Sequence, residues 1–139
     1  MKIYVASSHR TANKTTHDLF VKTRDCKELD FFFPEHLGNF SDSIENMEYI
    51  ESVCCNELRK SDVLIAIYPF GYSVSVEIGH FLEVCHMNPN NKRYFIILDT
   101  SKINSEKHKK LKTEAMIIPH VDKIVNTVDE LINTLEKLN

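Results

Sequence analysis

Apolar positions in this chain fall into two kinds of pattern that take turns from end to end. Short, nearly unbroken apolar runs rich in β-branched and aromatic residues occur at Lys2–Ala6, Asp30–Phe33, Val63–Ile67, Tyr94–Leu98 and Lys123–Val125. Runs of this length and composition read as strands, and continuous apolarity means burial on both faces. Between them the apolar residues recur at spacings of three and four, the helical period. Thr15 or Thr16 is placed to cap a first helix reaching about Cys26, and Ser41 or Ser43 a second running through about Lys60. Ile44, Met47, Tyr49, Ile50, Val53, Cys54 and Leu58 are that second helix's candidate apolar positions. A third helix follows the breakers Pro69 and Gly71 and carries Ile78, Phe81, Leu82 and Cys85. Ser101 to about Ala115 is polar, with one short helix expected. Thr127 caps the last helix, and Glu130 completes a capping box ahead of Leu131, Ile132, Leu135 and Leu138.

Five alternations of strand and helix predict a single domain over residues 1–139 with a three-layer α/β fold and a five-stranded parallel sheet. The flavodoxin/Rossmann-like order 2-1-3-4-5 is the natural choice for five strands with right-handed crossovers. Ligands of such sheets bind where the strand order reverses, outside the carboxyl ends of strands 1 and 3. Two loops are thereby expected to face one cleft. The first carries Ser7, Ser8, His9 and Arg10; the second carries Tyr68, Phe70, Gly71, Tyr72, Ser73 and Ser75 and leads to Glu77. Aromatic rings, hydroxyls, helix N-termini and an arginine suit a nucleotide, since rings stack a base and helix ends and Arg take a phosphate. Glu77 is expected in or near the first turn of the third helix, where the helix dipole favours a carboxylate. Gly79 costs about 1 kcal/mol in a helix, so a close neighbour or ligand is expected beside it.

Composition narrows the partners. The chain is 42% apolar and 27% charged with a net charge of −3, the profile of a globular protein rather than a nucleic-acid binder. The basic run Lys107–Lys112 reads as a solvated helix face. No apolar run reaches the roughly 20 residues of a membrane span. The four cysteines, Cys26, Cys54, Cys55 and Cys85, have no CxxC spacing, and without an export signal they read as reduced thiols of a cytoplasmic protein. Cys85, His80 and His86 have poor spacing for zinc, so no metal or other cofactor is expected.

KIYVASSHR, SDVLIAI and SVSVEIGHFLEV together resemble the nucleoside 2-deoxyribosyltransferase-like family, and within it the deoxynucleoside 5′-monophosphate N-glycosidases. The order of elements fits along nearly the whole chain. The resemblance implies that Glu77, in the Glu-Ile-Gly that opens the third helix, is the nucleophile, and that Tyr4 lines the sugar site. It implies further that Ser8, His9 and Arg10 bind a 5′-phosphate, with Gly71, Ser73 and Ser75 on the facing loop. Tyr68, Phe70 and Tyr72 are the candidate base-stacking rings. It also implies a homodimer or larger assembly, for which Phe40 and Phe70 are available. The expected activity is cleavage or transfer of the N-glycosidic bond of a nucleoside or nucleoside 5′-monophosphate. The sequence departs from the family at two places. An acidic residue expected on the second helix falls near Cys54, with Glu51 about one turn away, and hydroxyls stand where the loop before Glu77 usually has glycine. Two alternatives therefore stay open: a non-catalytic nucleotide-binding sensor or sponge, and an NAD or ADP-ribose glycohydrolase like TIR domains. Each named residue also has a plain structural role open to it: Glu77 as a first-turn acid, Tyr4 as core, Ser73 and Ser75 as caps, Asp62 as a loop closure, Asp99 as a turn residue.

Overall fold

Parallel strands must be joined by crossovers, and the helices of those crossovers cover both faces of the sheet. The computed structural model describes residues 1–8, 13–37 and 43–139. It contains β1 (Lys2–Ala6), α1 (Asn13–Thr23), β2 (Asp30–Phe32), a 3-10 turn (Pro34–Leu37), α2 (Ile44–Lys60), β3 (Val63–Tyr68), α3 (Tyr72–Met87), β4 (Tyr94–Asp99), α4 (Glu106–Leu111), a second 3-10 turn (Ile118–His120), β5 (Lys123–Val125) and α5 (Val128–Leu138). The strands form one five-stranded sheet in the order β2-β1-β3-β4-β5, and every pairing is parallel. This is the expected three-layer fold and strand order. No helix among the described residues is long and apolar enough to cross a membrane.

Strand periodicity divides the core in two. Ile3, Val5, Val63, Ile65, Ile67, Ile96 and Leu98 point to the face covered by Leu19 of α1 and by Leu131 and Leu135 of α5. Tyr4, Ala6, Leu64, Ala66, Tyr68, Phe95 and Ile97 point to the other, under Cys54 and Leu58 of α2, Val74, Ile78 and Phe81 of α3 and Leu111 of α4. Each apolar strand residue thus serves one core or the other, which is why the runs are apolar without alternation.

Helix boundaries depart from the expected ones in ways the side chains explain. Thr16 is not a cap; it sits inside α1, which starts at Asn13, and is buried. Ser43 caps α2 by accepting from the Asn46 amide. Ile44, Met47 and Tyr49 lie on the solvent side of α2, while Cys54 and Leu58 carry the burial. Thr127 caps α5 as expected, but the Glu130 carboxylate reaches the amide of Asn126, one residue beyond the cap. Gly79 has open space around it, with nothing within 4 Å of where a Cβ would stand, so no close neighbour accounts for it.

Two aspartates clasp the amino edge of the sheet in the same way. The Asp62 carboxylate accepts from the Lys2 amide at 2.8 Å while the Asp62 amide donates to the Lys2 carbonyl at 2.9 Å. Just before β5, Asp122 repeats this on Phe95, at 2.7 Å through its carboxylate and 2.9 Å through its amide. Each carboxylate extends a ladder by one bond past the strand start, and hydrogen bonds to a charged acceptor are the stronger kind. Replacing Asp62 or Asp122 by Ala is therefore expected to cost about 1–2 kcal/mol in urea unfolding, with Asn recovering part of the loss.

Candidate active site

Where β1 and β3 diverge, the loops at their carboxyl ends and the start of α3 enclose a pocket of about 550 Å³, within the usual range for a small-molecule site. Glu77 is the sixth residue of α3, in the second turn rather than the first. The cap position is Gly71, with no side-chain cap, so neither Ser73 nor Ser75 serves as one. One turn further along the axis, the carboxylate of Glu77 reaches back over the sheet and accepts a hydrogen bond of 2.6 Å from the Tyr4 hydroxyl. Tyr4 is fully buried in β1, and its ring packs on Phe32 of β2 with centroids 5.3 Å apart. The phenol is thus anchored by the sheet, and the carboxylate is anchored by the phenol.

Electrostatics at this pair differ from the dipole argument. Burial pushes the Glu77 carboxyl up to about 7, and the hydrogen bond from Tyr4 opposes that rise. Burial, followed by the Glu77 charge, raises Tyr4 far above the ordinary phenol range, so it stays a donor at all working pH values. Cys54 lies against the pair from α2; burial raises its thiol, while an interaction with Tyr4 pulls the other way. The thiol is therefore neutral at neutral pH and is a weak nucleophile.

A second carboxylate lines the same pocket, and sequence patterning did not single it out. Glu35 stands on the 3-10 turn after β2 and accepts a 2.6 Å hydrogen bond from the Ser7 hydroxyl. Glu51 is exposed on α2 and is not among the lining residues. The one sequence signal beside Glu35 is Pro34, a breaker just after β2 that opens the 3-10 turn carrying it.

The expected site residues are divided between two clefts. Ser8, Gly71, Tyr72 and Ser73 line the first pocket with Glu77. Tyr72 stands at its rim, 96% exposed. Tyr68, Phe70 and Ser75 line a second cleft, which Ser8 shares. There Tyr68 and Phe70 meet edge to face at 5.0 Å, and Tyr68 is buried. The three rings therefore do not form one stacking platform. The divide is a close contact: a Cβ on Gly71 would lie 3.0 Å from the Ser8 hydroxyl oxygen and 3.2 Å from its Cβ. Glycine at 71 lets the two loops touch. His9, Arg10 and Phe40 lie outside the described residues. Asp99 is fully buried at the end of β4 and holds the Ser101 amide and hydroxyl and the His108 ring, a turn role.

Among known proteins, no family model matches the chain and no curated protein matches it. Solved structures do. A conserved protein from Enterococcus faecalis V583 superposes with a TM-score of 0.68 at 17% identity, covering 100% of this chain and 99% of that one. A 2-deoxyribosyltransferase from Bacillus psychrosaccharolyticus superposes with a TM-score of 0.67 at 14% identity, covering 94% of this chain and 90% of that one. At these identities the likeness is one of fold, and the fold seen in a 2-deoxyribosyltransferase structure is the fold of this chain.

Proposed function

We propose that the protein is an N-glycosidase or glycosyltransferase acting on a nucleoside or a nucleoside 5′-monophosphate, with Glu77 as nucleophile. The observation that carries the reading is the Tyr4–Glu77 hydrogen bond of 2.6 Å in the switch-point pocket. In the first step a Glu77 oxygen bonds to the anomeric carbon and the bond to the base nitrogen breaks. The electron pair leaves with the base, which takes up a proton. Water, or a second base, then attacks the anomeric carbon and frees the carboxylate. Forming the ester neutralises an anion held at a cost inside the protein, so burial favours the step. Tyr4 orients the attacking oxygen. Glu35, held by Ser7, offers an acceptor for a sugar hydroxyl or a polar edge of the base, in the place of the acid expected near Cys54. Ser8 and Arg10 would take a 5′-phosphate, which favours hydrolysis of monophosphates over transfer. A binder that does not turn over is the competing reading, favoured by the neutral Cys54 at the position where an acid was expected.

We further propose a homodimer in a reducing, cytoplasmic setting. Both α2 and α3 border the pocket, and on these helices Ile44, Met47, Tyr72 and Val76 are exposed by 53–96%. All four cysteines are free. Sedimentation at micromolar concentration is expected to show a dimer that Met47→Asp dissociates; a wild-type monomer refutes it.

The nucleophile is tested by Glu77→Gln, which keeps the shape of the side chain. Base release, followed by chromatography over a panel of nucleosides, monophosphates and NAD, is expected to fall by several orders of magnitude, while ligand affinity changes by less than about tenfold. Turnover that survives the change defeats the mechanism, and wild type that releases no base from any compound leaves the binder. Stability moves the opposite way. A carboxyl raised from 4.5 to about 7 on folding binds more protons folded than unfolded between those values, so stability falls as pH rises through that window. Above it, Glu77→Gln is expected to be the more stable protein by roughly 1–3 kcal/mol, and the gain vanishes below the unfolded value.

Activity should follow the same ionisation. The rate on unsaturating substrate is expected to rise with pH to a plateau, with an apparent pKa near the value of about 7 for the Glu77 carboxyl. Tyr4→Phe removes the donor that favours the carboxylate, so its acid limb is expected to move to higher pH. A limb that stays put in Tyr4→Phe would assign the ionisation to another group.

A further inference from the structure

The cleft on the far side of the Gly71–Ser8 contact has a volume of about 520 Å³ and takes no part in the chemistry above. Lys107 and Lys110 line it, three residues apart and so on one face of α4. Among the described residues neither makes an ion pair, although Lys109 between them pairs with Glu106 at 3.9 Å. Their helix is tied down more firmly than a solvated face needs. The Tyr68 hydroxyl donates to the Lys107 carbonyl at 2.7 Å. The His108 ring meets the fully buried Asp99 carboxylate at 2.7 Å, and Ser105 caps the helix by accepting from the His108 amide at 3.2 Å. Three bonds from two neighbouring strand ends and a cap thus fix the turn that presents the lysines. Ser8 forms a wall of both clefts, so a chain leaving the Glu77 pocket past Ser8 enters this one. Ser8 and Ser75 bring hydroxyls to the route; that of Ser75 donates to the Gly71 carbonyl at 3.4 Å, a long bond that leaves it open to a phosphate oxygen. Among the described residues Glu114 is the one carboxylate lining the cleft, and it works against an anion there.

We propose that this cleft is a subsite for the distal phosphate of a pyrophosphate-linked nucleotide, held by Lys107 and Lys110. The proposal rests on the reading that a nucleotide occupies the Glu77 pocket, and it extends the substrate class from monophosphates to nucleoside diphosphates or dinucleotides. Two ammonium groups in a cleft add affinity for each further phosphate charge through charge-assisted hydrogen bonds.

Calorimetry at low salt tests it with inorganic pyrophosphate, a nucleoside monophosphate, its diphosphate and a dinucleotide. The proteins are wild type, the Lys107→Ala/Lys110→Ala double variant and Glu114→Gln. Both lysines are exposed, so the double variant is expected to fold. Wild type should bind the diphosphate or the dinucleotide about tenfold more tightly than the monophosphate, and the double variant should lose that preference with monophosphate affinity kept within about twofold. Pyrophosphate alone should bind wild type, more weakly the double variant and more tightly Glu114→Gln. Lysine dependence with the diphosphate, the dinucleotide or both supports the subsite and tells which source fills it. Wild type that does not bind pyrophosphate, or a double variant that binds it unchanged, overturns it. Pyrophosphate binding that needs the lysines, with no base released from any nucleotide, keeps the subsite and discards the glycosidase.

Discussion

A carboxylate is held against a phenol inside the protein, and the molecule bears the cost of keeping it there. Raising the Glu77 carboxyl from 4.5 to about 7 corresponds to at most about 3–4 kcal/mol, and less because the pocket opens to solvent. That is a sizeable fraction of the roughly 5–15 kcal/mol by which small domains are stable. The cost is sustained by what surrounds it. Tyr4 lies in β1, between β2 and β3, with its neighbours in register on both sides. Its ring is fixed by Phe32 on one side and belongs to the core under α2 and α3. A phenol so placed has few alternatives to the Glu77 oxygen, so the carboxylate's geometry is set before any ligand arrives.

The topology brings this pair together from residues 73 positions apart in the chain. In a sheet ordered β2-β1-β3-β4-β5, β1 is followed by a crossover to one side and β3 by a crossover to the other. The loops therefore part above the β1–β3 seam, leaving a crevice with no crossing chain. Register completes the arrangement. Ala6 of β1 pairs with Ala66 of β3, and both lie on the face that α3 covers. Small residues at that point leave the floor of the crevice low.

Much of this was legible in the sequence, and the limits are physical. Strands buried on both faces announce themselves as short β-branched runs, so all five were readable, and with right-handed crossovers their number pointed to the order. The place of Glu77 at the crevice followed from its distance after β3. Its electrostatics did not, because the dipole of a helix start is visible in sequence while the burial of a second-turn side chain against another strand is not. The outward face of α2 was misread for a related reason: Ile44, Met47 and Tyr49 share the helical spacing, but spacing cannot say which stripe the sheet will cover. Glu35 had no periodicity to reveal it, since it lies on one turn of 3-10 helix. The split of Tyr68 and Phe70 from Tyr72 depended on side-chain direction at a strand end and a helix start, where the period changes.

That split gives the loop before α3 two tasks. Gly71 permits the contact with Ser8 that divides the crevice, and a side chain there would press on the Ser8 hydroxyl at 3.0 Å. Residues before the glycine serve the cleft beside α4, where Tyr68 both closes the core and fixes Lys107 by its hydroxyl. After it, Tyr72, Ser73, Val74 and Glu77 line the pocket beside α2. Ser75 is turned by the helix back toward the lysine side. The Ser75 hydroxyl thus lies in the second cleft and not beside the Glu77 carboxylate. The Tyr4–Glu77 hydrogen bond lies on the pocket side of the divide, so its geometry does not depend on that hydroxyl.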